Sequence, residues 1–199
     1  SDGLRFGNYS VALNPTSSIP SYHWNRLYKI ITSANSIIDR LVDTTELTEE
    51  QKNQVDAESR FFRALGYRNL VYLFGGVPLL LNEVTSPATD FVRASKEEVI
   101  AQIVTDLEIA TVNLPGINEV QDGRISNLVA YQLISEIYLV QEKWDMAIEA
   151  SSIIINDPGT ALMKERFGSL ANQPGDVIYD LFRVGNQNRA GGNTEALGV

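Results

Sequence analysis

Residues 56–81 read DAESRFFRALGYRNLVYLFGGVPLLL, and this stretch decides the fold. Five aromatics fall inside it: Phe61, Phe62, Tyr67, Tyr72 and Phe74. Ala57, Phe61, Ala64 and Val71 recur at helical spacing, with Leu65 and Tyr72 beside them, which predicts a helix with a wide apolar face. Gly75 and Gly76 then release the backbone into conformations a helix cannot use. Pro78 forbids a restart and pushes Val77 towards an extended shape, so the run to Leu81 continues as an apolar, strand-like segment.

The composition sets the outer limits. The chain has 199 residues, 44% of them hydrophobic, which suits one globular domain spanning residues 1–199. Its formal net charge is -9, so phosphate backbones are repelled and nucleic acid is not an expected partner. The same charge argues against docking on anionic lipid by electrostatics alone. With no cysteine, disulfides, thiolate catalysis and cysteine–zinc sites are excluded. No apolar run approaches the roughly 20 residues a membrane-spanning helix needs.

Working outward from the central stretch, residues 1–20 are rich in loop formers, including Gly3, Gly7, Asn14, Pro15 and Pro20. Ser21 can cap a helix from about Tyr22 to Leu41, whose apolar stripe carries Trp24, Leu27, Tyr28, Ile31, Ala34 and Ile38. Asn35 interrupts that stripe and reads as a core amide bonded to a neighbouring backbone. Thr48 and Gln51 make a capping box for the central helix, from Glu49 to about Leu73. Glu58, Arg60 and Arg63 lie in that helix and must be paired inside the fold. Residues 82–94 read as a connecting loop, and Ser95 with Glu98 forms a second capping box. The helix that follows, Lys96 to about Asn113, is apolar on more than one side and so belongs between neighbours.

Ser126 or Asn127 caps the next helix, to about Gln141, and another runs from Trp144 to Asn156. Tyr131, Ile134, Ser135, Tyr138, Trp144 and Ala147 fall at the spacings of a tetratricopeptide repeat. In that design a small residue lets two antiparallel helices approach while aromatics fill the groove between them. Val177–Val184, VIYDLFRV, is β-branched and aromatic and predicts a short strand near the C-terminus. The fold class is therefore all-α: antiparallel helix pairs of tetratricopeptide type, with long loops and one short strand.

These segments share a pattern. The central stretch resembles the AEARFLRA…LV.LFGGVPL signature of the SusD/RagB family. Trp24–Ile38 (W..LY.II..AN..I) and Arg93–Pro115 (R.S..EVI..I..DL..A...LP) are similar to other parts of it. Ser59 stands where the family usually has alanine, Tyr67-Arg68 near a Tyr-Phe pair, and Asp176 in place of a glutamate. The resemblance covers roughly residues 22–184. It implies a SusD-like α–α superhelix acting as a cell-surface lipoprotein of the outer membrane. Such a protein binds glycan or another nutrient without chemistry and delivers it to a SusC-like TonB-dependent transporter. It further implies a portion of a longer protein, starting after a signal sequence and lipid-bearing cysteine and lacking the family's C-terminal half. A repeat-type adaptor for a protein or peptide is the alternative reading.

Catalytic and cofactor signals are sparse. His23 is the only histidine, and no G-x-S-x-G elbow, phosphate loop, dinucleotide fingerprint or calcium loop occurs. No cofactor or metal is expected. The carboxylate pairs Glu97/Glu98, Asp106/Glu108, Glu119/Asp122 and Asp176/Asp180 could serve a glycosidase only if they faced each other across a cleft, and they read as solvated faces. Sugar binding needs flat aromatics plus amides and charged groups. The candidates are Tyr9 and Asn14 in the first loop, Tyr22 and His23 at the first helix start, and Phe91 in the 82–94 loop. Trp24 is assigned to the core.

Overall fold

The computed structural model describes residues 18–121 and 123–197. Six α-helices follow in order: α1 (Ser18–Leu41), α2 (Glu49–Phe74), α3 (Lys96–Asn113), α4 (Asn127–Val140), α5 (Trp144–Ile155) and α6 (Val177–Leu181). Single 3-10 turns lie at Gly168–Leu170 and Arg189–Gly191. The all-α reading holds, and α2 to α5 fall within two residues of their expected bounds. Two compact units share the chain. One holds residues up to Thr45 together with Phe62–Ile103, and the other holds Glu46–Phe61 together with the chain from Val104.

In the first unit, Ile31 and Ala34 of α1, Tyr67 and Leu70 of α2, and Val99 and Ile103 of α3 are buried. Burial of this kind contributes about 1.5–3 kcal/mol for each large apolar side chain. The run after α2 is held by polar groups. Gly75 takes φ +70°, and a Cβ at Gly76 would sit 2.2 Å from the Ala94 carbonyl oxygen, so both glycines are needed for the turn. The Ala94 amide donates to the Val77 carbonyl at 3.0 Å beside an isolated antiparallel bridge between Pro78 and Arg93. Tyr28 Oη donates to Pro78 O at 2.7 Å, and Tyr67 Oη to Leu80 O at 2.8 Å. Asn35 Nδ2 donates to Leu80 O (2.9 Å) and Asn82 O (3.2 Å). Its Oδ1 accepts from Arg63 Nη1 (2.9 Å), which also reaches Leu81 O at 3.0 Å. Asn35 is thus the bonded core amide its sequence position predicts. Burial of Tyr28's phenol pushes its pKa up, so it remains a donor. The Ser95/Glu98 box closes as predicted, with Ser95 N to Glu98 Oε2 at 2.7 Å and Glu98 N to Ser95 Oγ at 3.2 Å. The Ser95 amide holds the Glu98 carboxyl below the usual carboxylate range.

Helix α1 already runs from Ser18, so Ser21 lies inside it and does not cap it. Pro20 is tolerated there because first-turn amides have no intrahelical partner to lose.

The second unit pairs α4 with α5 across the short turn at 141–143. Ser135 and Ala147 are buried where the helices approach, as repeat packing requires. Trp144 departs from that pattern: it is 57% exposed at the start of α5 and fills no groove. The Thr48/Gln51 box closes in both directions, at 2.9 and 3.2 Å. Ser126 occupies the N-cap of α4 without capping it, because its hydroxyl donates to Leu197 O at 2.9 Å.

The strand expected at Val177–Val184 does not form. Val177–Leu181 is a short helix, capped by Asp176 Oδ1 accepting from Tyr179 N at 2.8 Å. Its turn brings Asp180 to the Arg166 guanidinium, and Asp180 also accepts from Phe167 N at 3.2 Å. β-Branched composition makes a strand only where an edge waits to pair. Among the described residues none does.

Candidate functional site

The first turns of α1 sort their aromatics by helical period. Trp24 is half-buried, its ring centroid 4.9 Å from Tyr28 and 5.2 Å from Phe74, so it packs against other rings without joining the fully buried core. Tyr22 turns outward and is 55% exposed. His23 meets it edge-on at 5.6 Å, and the Arg26 guanidinium lies 5.0 Å from the Tyr22 ring centroid. This spacing, one turn apart, brings side chains together on a helix surface. Arg26 was missed by reasoning from residue type alone, although its position four after Tyr22 was readable. A half-exposed ring with a charged donor beside it is equipped to stack on a flat ligand and bond its oxygens.

The other expected site residues are more scattered. Phe91 is exposed in the 82–94 segment and, among the described residues, makes no ring contact, so it is not gathered with Tyr22 and His23. Tyr9 and Asn14 lie outside the described residues. Two further clefts belong to the second unit. One, of about 620 Å³, is lined by Asp176, Ile178, Tyr179, Phe182, Arg183 and Val184. Arg183 stacks on Tyr179 there at 5.1 Å. The other, of about 240 Å³, lies along α4 and α5 and includes Tyr131, Tyr138, Met146 and Glu149. Neither includes a residue expected from the sequence.

The carboxylates have structural uses. Asp106 and Asp180 are fully buried, not solvated as expected. Asp106 lies 3.4 Å from Arg60, which also binds Asp56 at 2.6 Å. Glu58 pairs with Arg124 at 2.6 Å. Thus the charges inside α2 are bonded within the fold as predicted. The hydrogen bonds from Arg166 hold the Asp180 carboxyl below the ordinary aspartate range, against the opposing effect of burial. Glu98 and Asp176 are helix caps. Among the described residues no group of three or more potential metal ligands converges. No described helix is long and apolar enough to cross a membrane.

The helix pairs, the GGVPLLL run bonded by polar side chains and the exposed aromatic face at the start of α1 define a helical-repeat fold. Residues 6–139 match the SusD-like family described as "Starch-binding associating with outer membrane". The chain belongs to that SusD-like family. It is 28% identical over 146 residues to the SusD-like protein P25 of Formosa agariphila, covering 70% of this chain and 27% of the relative. A SusD superfamily protein of Bacteroides vulgatus superposes with a TM-score of 0.71 at 26% identity, over 80% of this chain and 33% of that one. A laminarin-binding SusD-like protein superposes with a TM-score of 0.66 at 32% identity, over 72% of this chain and 32% of that one. The chain therefore spans about a quarter to a third of the length of these relatives.

Proposed function

We propose that this chain is part of a non-catalytic glycan-binding protein at the outer-membrane surface, held there by an N-terminal lipid. It captures oligosaccharide and passes it to a SusC-like TonB-dependent transporter. The observation that carries this reading is membership of the SusD-like family, together with 32% identity to a laminarin-binding member. The carboxylates also support it, since Asp106, Asp180, Glu98 and Asp176 are engaged in ion pairs or helix caps and do not face each other across a cleft. The proposed ligand contacts are Tyr22 and His23 on α1, Phe91 as a separate contact in the 82–94 segment, and Tyr9 and Asn14 in the stretch that precedes α1 in the sequence.

Isothermal titration of the full-length protein against soluble polysaccharides, laminarin included, tests the proposal. Saturable heat without release of shorter sugars is expected. Tyr22→Ala and Phe91→Ala should each weaken binding about tenfold, or ~1.4 kcal/mol. Cleavage of the polysaccharide, or silence across the panel, overturns the capture role.

A further inference from the structure

Helix α1 stands apart in charge from the chain that contains it. The chain carries 25 acidic residues against 16 Lys and Arg. Residues 18–38, however, contain Arg26, Lys29 and His23 and no acid before Asp39. Tyr22, Arg26, Lys29 and Ser33 recur at steps of three or four and are all exposed, so they share one outward face. Four other arginines are neutralised by carboxylates: Arg40 pairs with Glu83, Arg60 with Asp56, Arg124 with Glu58 and Arg166 with Asp180. Among the described residues neither Arg26 nor Lys29 has a carboxylate within ion-pair distance. Arg26 is instead held over Tyr22.

We infer that this face of α1 selects an anionic glycan, one bearing uronate carboxylates or sulfate esters, over a neutral one. The inference rests on the glycan-capture reading above. Tyr22 supplies the stacking surface. Arg26 and Lys29 supply two cations in line along the helix, about 10 Å from Tyr22 to Lys29 at 1.5 Å per residue, the span of a disaccharide. A guanidinium forks onto carboxylate or sulfate oxygens, and an ammonium adds a point charge. A neutral sugar leaves both cations without a partner. An acidic protein repels polyanions at long range, so any polyanion it binds must be drawn to a local site.

The test uses the full-length protein and four probes: laminarin and dextran as neutral chains, alginate as a polyuronate and dextran sulfate as a sulfate ester. At least one polyanion should bind about tenfold or more tighter than either neutral chain, with the margin shrinking as salt rises through the physiological range. Which polyanion wins separates uronate from sulfate. The double variant Arg26→Gln/Lys29→Gln should lose that margin while keeping the wild-type melting temperature. Laminarin binding without polyanion binding overturns the inference and leaves the capture role intact. A margin that survives in the double variant overturns it too. Silence towards all four probes overturns both readings.

Discussion

Residues 77–83 of the first unit and residues 160–197 of the second, the latter irregular apart from α6 and two single 3-10 turns, are held in opposite ways. The first run is gripped by side chains projecting from helices. Tyr28 and Asn35 reach it from α1, and Arg63 and Tyr67 from α2, nearly always through its backbone carbonyls. The side chains of Val77–Leu81 are left free to be apolar, while Glu83 pairs with Arg40. The second is held mainly by groups within the segment itself, with Ser126 adding one bond to Leu197 O from the N-cap of α4. Arg166 donates to Asp180 and to the carbonyls of Leu170 and Gln173, and Asn186 donates to Phe167 O at 3.3 Å. A helix-based grip is pre-formed before the run docks. A loop-based grip forms only when all its parts are in place, so it should be the more easily loosened of the two.

The sharpest way to break this comparison is at Arg63. Arg63→Leu removes the buried donor shared by Asn35 and Leu81 and leaves both acceptors unmet. It should cost the full-length protein about 3–4 kcal/mol in urea unfolding. A loss below 1 kcal/mol would mean the helices do not grip the run through this residue. Gly76→Ala comes next. Its Cβ collides with Ala94 backbone, which cannot swing aside as a side chain would, and a cost of about 2–3 kcal/mol is expected on the same assay. The mildest test is acid. The Asp180 carboxyl is depressed in the fold, so its ionised form is favoured by folding. The stability it contributes is present above the unfolded aspartate value of about 3.9 and is lost as pH falls towards the lower folded value. Hydrogen exchange between pH 5 and pH 3 should therefore show protection falling in residues 166–186 before it falls in residues 77–83. Simultaneous loss in both segments would erase the distinction.

Where sequence reasoning succeeded, its signals were local. Thr48/Gln51 and Ser95/Glu98 are capping boxes because the partners lie three residues apart, and both close as read. Asn35 was legible because an amide inside an apolar stripe must be bonded. The strand reading of VIYDLFRV failed because a strand is a pairing, and composition names no partner. Ser126 sits where a cap belongs yet bonds Leu197, 71 residues on. The carboxylates misled for the same reason: Asp106 and Asp180 look like surface acids until Arg60 and Arg166 are brought to them. Of the proposed binding face, Tyr22 and His23 were readable as exposed rings near a helix start. That Arg26 and Lys29 beside them have no carboxylate partner among the described residues was not, because pairing is a property of the folded surroundings.

Local chemistry in the sequence set helices α1 to α5, the Thr48/Gln51 and Ser95/Glu98 capping boxes and the glycine turn into VPLLL, since each follows from groups within a few residues. Tertiary contacts set which polar groups grip that run, that Asp180 sits on a helix beside Arg166, and that, among the described residues, Arg26 and Lys29 have no carboxylate within ion-pair distance whereas Arg40, Arg60, Arg124 and Arg166 do. Each of those depends on groups many residues apart in the chain, and only folding brings them within bonding distance.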